Sequence, residues 1–185
     1  MNPETKKMIG WGIAAFVVVG IVAVLAVTGN LKAPTNTGGN KTPIIPTEAG
    51  TSPVNEEGKV VTPEGVEVKN DAVPGALEAP KASNPVEVQN IPASAVKLTL
   101  TSAGYSPSTF TVDAGSAVTL SVTSGDEQTH IFMFGDPSLS AVALGLGPNE
   151  TRIITFNAPE RGEYAFRCDV PGHSGRGETG KMIVR

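Results

Sequence analysis

One cysteine and two histidines are all the thiol and imidazole groups in this chain of 185 residues. A single cysteine excludes an internal disulfide and by itself leaves the redox compartment open. Aromatic residues make up 5% of the chain and charged residues 17%, with a net charge of -4. No basic run and no interleaving of basic with aromatic residues is present, which excludes the usual footprint of a nucleic-acid binder. No glycine motif of the kind that cradles phosphate occurs either. Against these shortages stand 21 glycines and 15 prolines, a mixture expected of an all-β domain with many turns joined to an unstructured stretch. The scarcity is useful, because any soft or borderline metal held through Cys and His has almost no choice of ligands.

The N-terminal part carries the one long apolar run. Ile9 to Thr28 holds no charge, and a helix of that length rises about 30 Å, the thickness of a hydrocarbon core. Lys6 and Lys7 precede it, and Lys32 and Pro34 follow. The lysines favour a cytoplasmic N-terminus over residues 1–8, a transmembrane anchor over 9–28 and an exported remainder. The rival reading is a cleaved signal peptide with a weak site at Val24-Leu25-Ala26. The apolar core of such a peptide spans only about 7–15 residues, so the anchor is preferred. Both readings export the C-terminal domain, to a periplasm or the cell exterior.

Residues 29–90 have the composition of a tether. Asn30 to Asn90 contains no aromatic residue, and prolines recur from Pro34 to Pro85. Such a segment buries too little apolar surface to offset its ordering entropy. As a flexible coil it would span about 45 Å. One local exception is present: Val60-Val61 and Val66-Glu67-Val68 have the spacing of a short hairpin.

From Val96 the pattern changes. Val96, Leu98 and Leu100 alternate with Lys97, Thr99 and Thr101, and Val118, Leu120 and Val122 alternate with Thr119, Ser121 and Thr123. Period two with β-branched residues signals half-buried strands. Phe110 with Val112, His130 to Phe134, Thr151 to Asn157, the approach to Cys168 and the closing Met182-Ile183-Val184 add further strands. Ser102-Ala103-Gly104, Ser106-Pro107 and Ser124-Gly125-Asp126 read as turns. Seven or eight short strands within residues 91–185 predict a Greek-key β-sandwich. Leu139 to Leu146 reads as a partly buried loop or as an apolar patch near His173. Tyr164 and Phe166 read as core, and Asp126, Glu127 and Asp136 as solvated loop charges.

The informative motif is Cys168-Asp169-Val170-Pro171-Gly172-His173. A cysteine ends a strand, a Pro-Gly turn follows, and the imidazole comes next. Such a turn can aim a thiolate and an imidazole at one point, and the strand-opening His130 can join them. Taken singly, His130 reads as a surface histidine, Cys168 as an inert buried thiol and His173 as a loop residue. Together they absorb every His and Cys of the chain, and two imidazoles with one thiolate form the trigonal donor set of a blue-copper electron-transfer site.

Residues 118–185 resemble the cupredoxins of the plastocyanin and auracyanin sort. The likeness rests on His130-Ile131-Phe132, the Gly147-Pro148-Asn149-Glu150-Thr151 turn, the run Gly162 to Cys168, and Val170-Pro171-Gly172-His173. Upstream, Tyr105 to Gly115 is similar to the family's second strand and turn. The resemblance implies one copper per domain, Cu(I)/Cu(II), on His130, Cys168 and His173. In that family a methionine usually follows the second histidine by five residues as a weak axial ligand; here the position is Glu178. Three arrangements stay open: Glu178 at the metal, Met182 at the metal, or no strong axial ligand. A carboxylate is harder than a thioether and is expected to favour Cu(II), lower the reduction potential and pull the site toward tetragonal geometry.

The expected function is single-electron transfer between redox partner proteins by a membrane-tethered, extracytoplasmic and monomeric domain that is not an enzyme. Copper storage, delivery or sensing is the alternative, and no Met-rich or His-rich tract supports it. A catalytic open copper beside Glu178 is another. Hydrolysis by a Ser-His or Cys-His pair would consume the histidines the metal needs.

Overall fold

The computed structural model describes residues 50–185. The anchor expected at 9–28, the N-terminus before it and the tether from 29 to 49 lie outside the described residues. Among the described residues no helix is long and apolar enough to cross a membrane.

Among the described residues nine strands form: β1 (Val96–Thr101), β2 (Gly104–Ser106), β3 (Thr109–Val112), β4 (Ala117–Ser124), β5 (His130–Phe134), β6 (Ala143–Leu146), β7 (Thr151–Asn157), β8 (Gly162–Cys168) and β9 (Thr179–Val184). They build two sheets, in the orders β2-β1-β4-β7 and β3-β9-β8-β5-β6. Pairs β1/β4 and β3/β9 are parallel, and the remaining pairs are antiparallel. The alternation read from the sequence sets the faces: Leu98 and Leu100 of β1 are buried while Lys97 and Thr99 are exposed. Leu120, Val122, Phe132, Phe134, Phe156, Phe166 and Met182 join them in one core between the sheets. Burying each such side chain contributes about 1.5–3 kcal/mol. Aromatic rings gather there, with Phe166 4.9 Å from Tyr105 and 5.2 Å from Phe132.

Two segments differ from the sequence reading. Gly104 and Ser106, read as parts of two turns, belong with Tyr105 to the edge strand β2, paired with β1 from Thr99 to Thr101. Leu139 to Leu146 is no surface patch: Leu139 to Val142 is a partly buried loop, as one of the two readings had it, but Ala143 to Leu146 is strand β6. Leu139, Val142, Leu144 and Leu146 are buried, and β6 pairs with β5 from Met133 to His130. The alternation Leu144-Gly145-Leu146 is a strand signal that the small residues around it concealed.

The larger correction concerns the tether. Residues 50–90 are not free chain; they lie along the sandwich. Ser83 N–H donates to Ile153 O at 2.8 Å, Ile153 N–H to Ser83 Oγ at 2.9 Å, and Val86 N–H to Thr151 O at 2.9 Å. These bonds cover the outer edge of β7. The hairpin spacing is realised: Val61 bridges Glu67, and Val68 N–H donates to Val60 O at 2.9 Å. The side chain of buried Asn157 clasps both arms, accepting from Val60 N–H at 2.8 Å and donating to Val68 O at 3.3 Å. Val60, Val61 and Val68 are buried. A few well-placed valines and backbone bonds thus anchor a segment whose average composition is that of a coil.

Close approach fixes one glycine. A Cβ on Gly180 would collide with the Phe166 ring and with the backbone oxygen of Ser108. The backbone oxygen cannot swing aside, so Gly180→Ala is expected to cost about 1–3 kcal/mol. Chemical denaturation checks this, with a lowered midpoint at unchanged slope as the expected result.

Candidate metal centre

The strands bring four side chains to one end of the five-stranded sheet. His130 opens β5, and Cys168 ends the neighbouring β8, with Phe132 opposite Cys168 in the ladder. The chain then turns through Val170-Pro171-Gly172, where His173 N–H donates to Val170 O at 3.0 Å. Gly172 has φ 84°, a conformation suited to glycine. After His173 a short 3-10 turn, Ser174–Arg176, ends on Gly177 in the left-handed region at φ 103°. That reversal places Glu178 immediately before β9 and beside the strand the chain has just left, with Cys168 N–H donating to Glu178 O at 2.9 Å.

The ligand-type atoms of His130, Cys168, His173 and Glu178 all lie within 4.8 Å of one another. Cys168 Sγ stands 3.8 Å from His130 Nδ1 and 3.6 Å from His173 Nδ1. Glu178 Oε2 stands 2.9 Å from His130 Nδ1 and 3.0 Å from His173 Nδ1. His130, Cys168 and Glu178 are fully buried; the His173 side chain is 12% exposed.

Protonation follows from the partners. His130 Nε2 lies 2.9 Å from Asp126 Oδ1. A carboxylate only accepts, so Nε2 carries a proton toward Asp126; Nδ1 faces the centre, 2.9 Å from Glu178 Oε2, and would turn its lone pair to a bound metal. Histidines that hold metals are commonly oriented in this way through their other nitrogen. Asp126 is itself braced by Ser102 N–H at 2.8 Å and Gln128 N–H at 3.0 Å. Burial pushes the Asp126 carboxyl up, but the His130 and backbone hydrogen bonds outweigh it and hold the group down at about 2. The sequence reading took Asp126 for a solvated charge and so missed this brace. Its placement four residues before His130, across a turn, was the available signal.

Glu178 is the second notable group. Burial pushes its carboxyl up, yet hydrogen bonds from Arg176, Cys168 and His130 and the charge of His173 outweigh this and keep it ionised. Arg176 Nη2 donates to Glu178 Oε1 at 2.8 Å, leaving Oε2 to face the histidines. Burial pushes the Cys168 thiol up as well, against backbone N–H groups of Ile131 and Val170 that favour the thiolate. The Ile131 N–H meets Sγ at 3.4 Å.

The set fits a metal ion. Two imidazole nitrogens, a sulfur and a carboxylate oxygen, all electron-pair donors, converge on one buried point. Such a convergence is repulsive without protons or a cation between the donors. Of the fourth-ligand alternatives left open by the sequence, the structure brings Glu178 into this cluster and places Met182 in the hydrophobic core.

Residues 72–184 match the family model of the cupredoxin-like domain. No curated protein matches the chain. Among similar solved structures is dithionite-reduced auracyanin of the photosynthetic bacterium Roseiflexus castenholzii. It is 25% identical, with 50% of this chain and 98% of that one covered and a TM-score of 0.44. Auracyanin A of Chloroflexus aurantiacus, described as a blue copper protein, is 24% identical over 49% of this chain and 98% of that one, with a TM-score of 0.40. Amicyanin of Paracoccus versutus is 25% identical over 55% and 92%, with a TM-score of 0.42.

Proposed function

Because this chain belongs to the cupredoxin-like family, we propose that it is a copper-binding electron carrier, held near a membrane by residues 9–28 and working outside the cytoplasm with a redox partner protein. The observation that carries the reading is the cluster of two imidazoles, a cysteine sulfur and a carboxylate at the end of a packed sandwich. Thiolate suits Cu(I), imidazole suits both oxidation states, and carboxylate suits Cu(II). Bound copper supplies a one-electron couple.

The chain's own residues do the remaining work. His130, Cys168 and His173 hold the ion, and Asp126 keeps the His130 ring in the tautomer that offers Nδ1. The core beneath β5 and β8 resists rearrangement between oxidation states, because close-packed interiors transmit strain instead of absorbing it. His173 alone of the four reaches toward solvent, and its ring edge is the natural exit for an electron. Glu178, fully buried and clasped by Arg176, would help to hold the ion where an open catalytic copper would instead admit water. This favours a carrier over an enzyme.

The test is a visible spectrum of the full chain with one equivalent of Cu(II). An intense thiolate-to-copper band is expected, bleached by reductant, restored by oxidant and absent from Cys168→Ser. No such band in the parent protein would sink the copper-thiolate reading. Loss of the metal to a Cu(I) chelator within one redox cycle would instead favour copper delivery.

A further inference from the structure

Glu178 is buried, but the group that holds it is not. The Arg176 side chain is 44% exposed, and its Nη2 donates both to Glu178 Oε1 at 2.8 Å and to Gln128 Oε1 at 3.1 Å. Gln128 lies in the loop between β4 and β5, the same loop in which Asp126 holds His130. One loop therefore braces two of the converging side chains, His130 directly through Asp126 and Glu178 through Arg176.

Resting on the copper reading above, we propose that Arg176 is a positioning residue that sets both the geometry and the redox balance of the centre. Two physical effects act together. The guanidinium engages Oε1, so Glu178 offers the metal one oxygen and cannot chelate with two. A guanidinium is suited to this because its donors are fixed in a planar fork and it stays charged at any working pH. Its positive charge also stands beside the donor set. When the site takes one electron from an external reductant, Cu(II) becomes Cu(I) and the charge of the centre falls by one, with no bond to the chain required to break. A cation nearby favours the more negative, reduced state. Arg176 thus offsets part of the preference for Cu(II) that the carboxylate introduces. The partly exposed position limits the effect through solvent screening, yet the direct hydrogen bond into a buried carboxylate preserves it.

The experiment uses the full chain loaded with Cu(II) and compares the parent with Arg176→Ala and Arg176→Lys. Each is followed by visible and electron paramagnetic resonance spectra and by redox titration. Arg176→Ala is expected to move the reduction equilibrium at least tenfold toward Cu(II), about 59 mV for one electron. The copper hyperfine splitting should increase as the carboxylate becomes bidentate. Arg176→Lys keeps the charge and is expected to recover most of the redox shift. A merely structural arginine would change the melting temperature without moving either readout. An unchanged spectrum and potential in Arg176→Ala overturn the proposal while the parent's thiolate band leaves the copper reading standing. Equal shifts in the Ala and Lys variants overturn the role of the charge. Absence of the band from the parent protein overturns both readings.

Discussion

Cut back to residues 91–185, the domain is expected to melt about 10 °C below the full chain and to associate at concentrations where the full chain stays monomeric. Residues 50–185 are expected to keep the stability of the full chain. The reason lies in β7. A strand of a two-faced sandwich ordinarily buries alternate residues, but Thr151, Ile153, Ile154, Thr155, Phe156 and Asn157 are all buried. Ile154 and Phe156 belong to the core between the sheets, whereas Ile153 does not. Ile153 is covered from outside: a Cβ on Gly50 would lie 3.3 Å from its side chain, within reach of Ser83 and Val86 as well. Removing 50–90 uncovers that face, strips the edge bonds from Ser83 and Val86, and deprives Asn157 of Val60 and Val68. Val60, Val61 and Val68, whose burial contributes about 1.5–3 kcal/mol each, go with the segment. An unpaired strand edge with an apolar face is also a template for association. Thermal unfolding with size-exclusion chromatography decides the matter, and equal midpoints for 50–185 and 91–185 would show that the strap contributes nothing.

Glu178→Met is expected to shift the copper centre more than any other single change that keeps Cys168 and both histidines. The substitution removes a hard anionic oxygen and puts a soft, neutral sulfur in its place, so Cu(I) gains at the expense of Cu(II). Redox titration should show the equilibrium moving by more than tenfold toward Cu(I), a larger change than for Arg176→Ala and of the opposite sign. The visible spectrum should approach that of an ordinary blue site. Buried consequences follow too. Arg176 loses its 2.8 Å partner and is expected to turn outward. If spectrum and potential stay as in the parent, Glu178 does not reach the metal.

Much of the candidate site was legible in the sequence because its chemistry is scarce there. With one cysteine and two histidines, a Pro-Gly turn between Cys168 and His173 left little freedom in how donors could meet. Glu178 was legible as a candidate from its spacing, but spacing does not say whether a carboxylate turns inward. That depends on Gly177, whose left-handed backbone reverses the chain, and on Arg176 and His130, which repay the burial of the charge. Asp126 was not legible, because its role arises from a loop that folds back toward β5. Most strands were plain from period-two alternation. The strap was not, since composition averages over a segment while binding to the sandwich depends on a few positions. One signal was there: Ile153, on the outward face of β7, asked for a cover that the strand pattern alone did not provide.

The chain leaving β8 and returning in β9 carries Cys168, His173 and Glu178 within one closed loop, pinned at its base by the bond from Cys168 N–H to Glu178 O. Three of the four donors therefore travel together as a cassette, and only His130 belongs to the rest of the sandwich. Lengthening or shortening that loop would alter the geometry of the centre while leaving nearly all of the core untouched. A fold arranged in this way can change what its metal does in a few mutational steps, without having to reinvent how it folds.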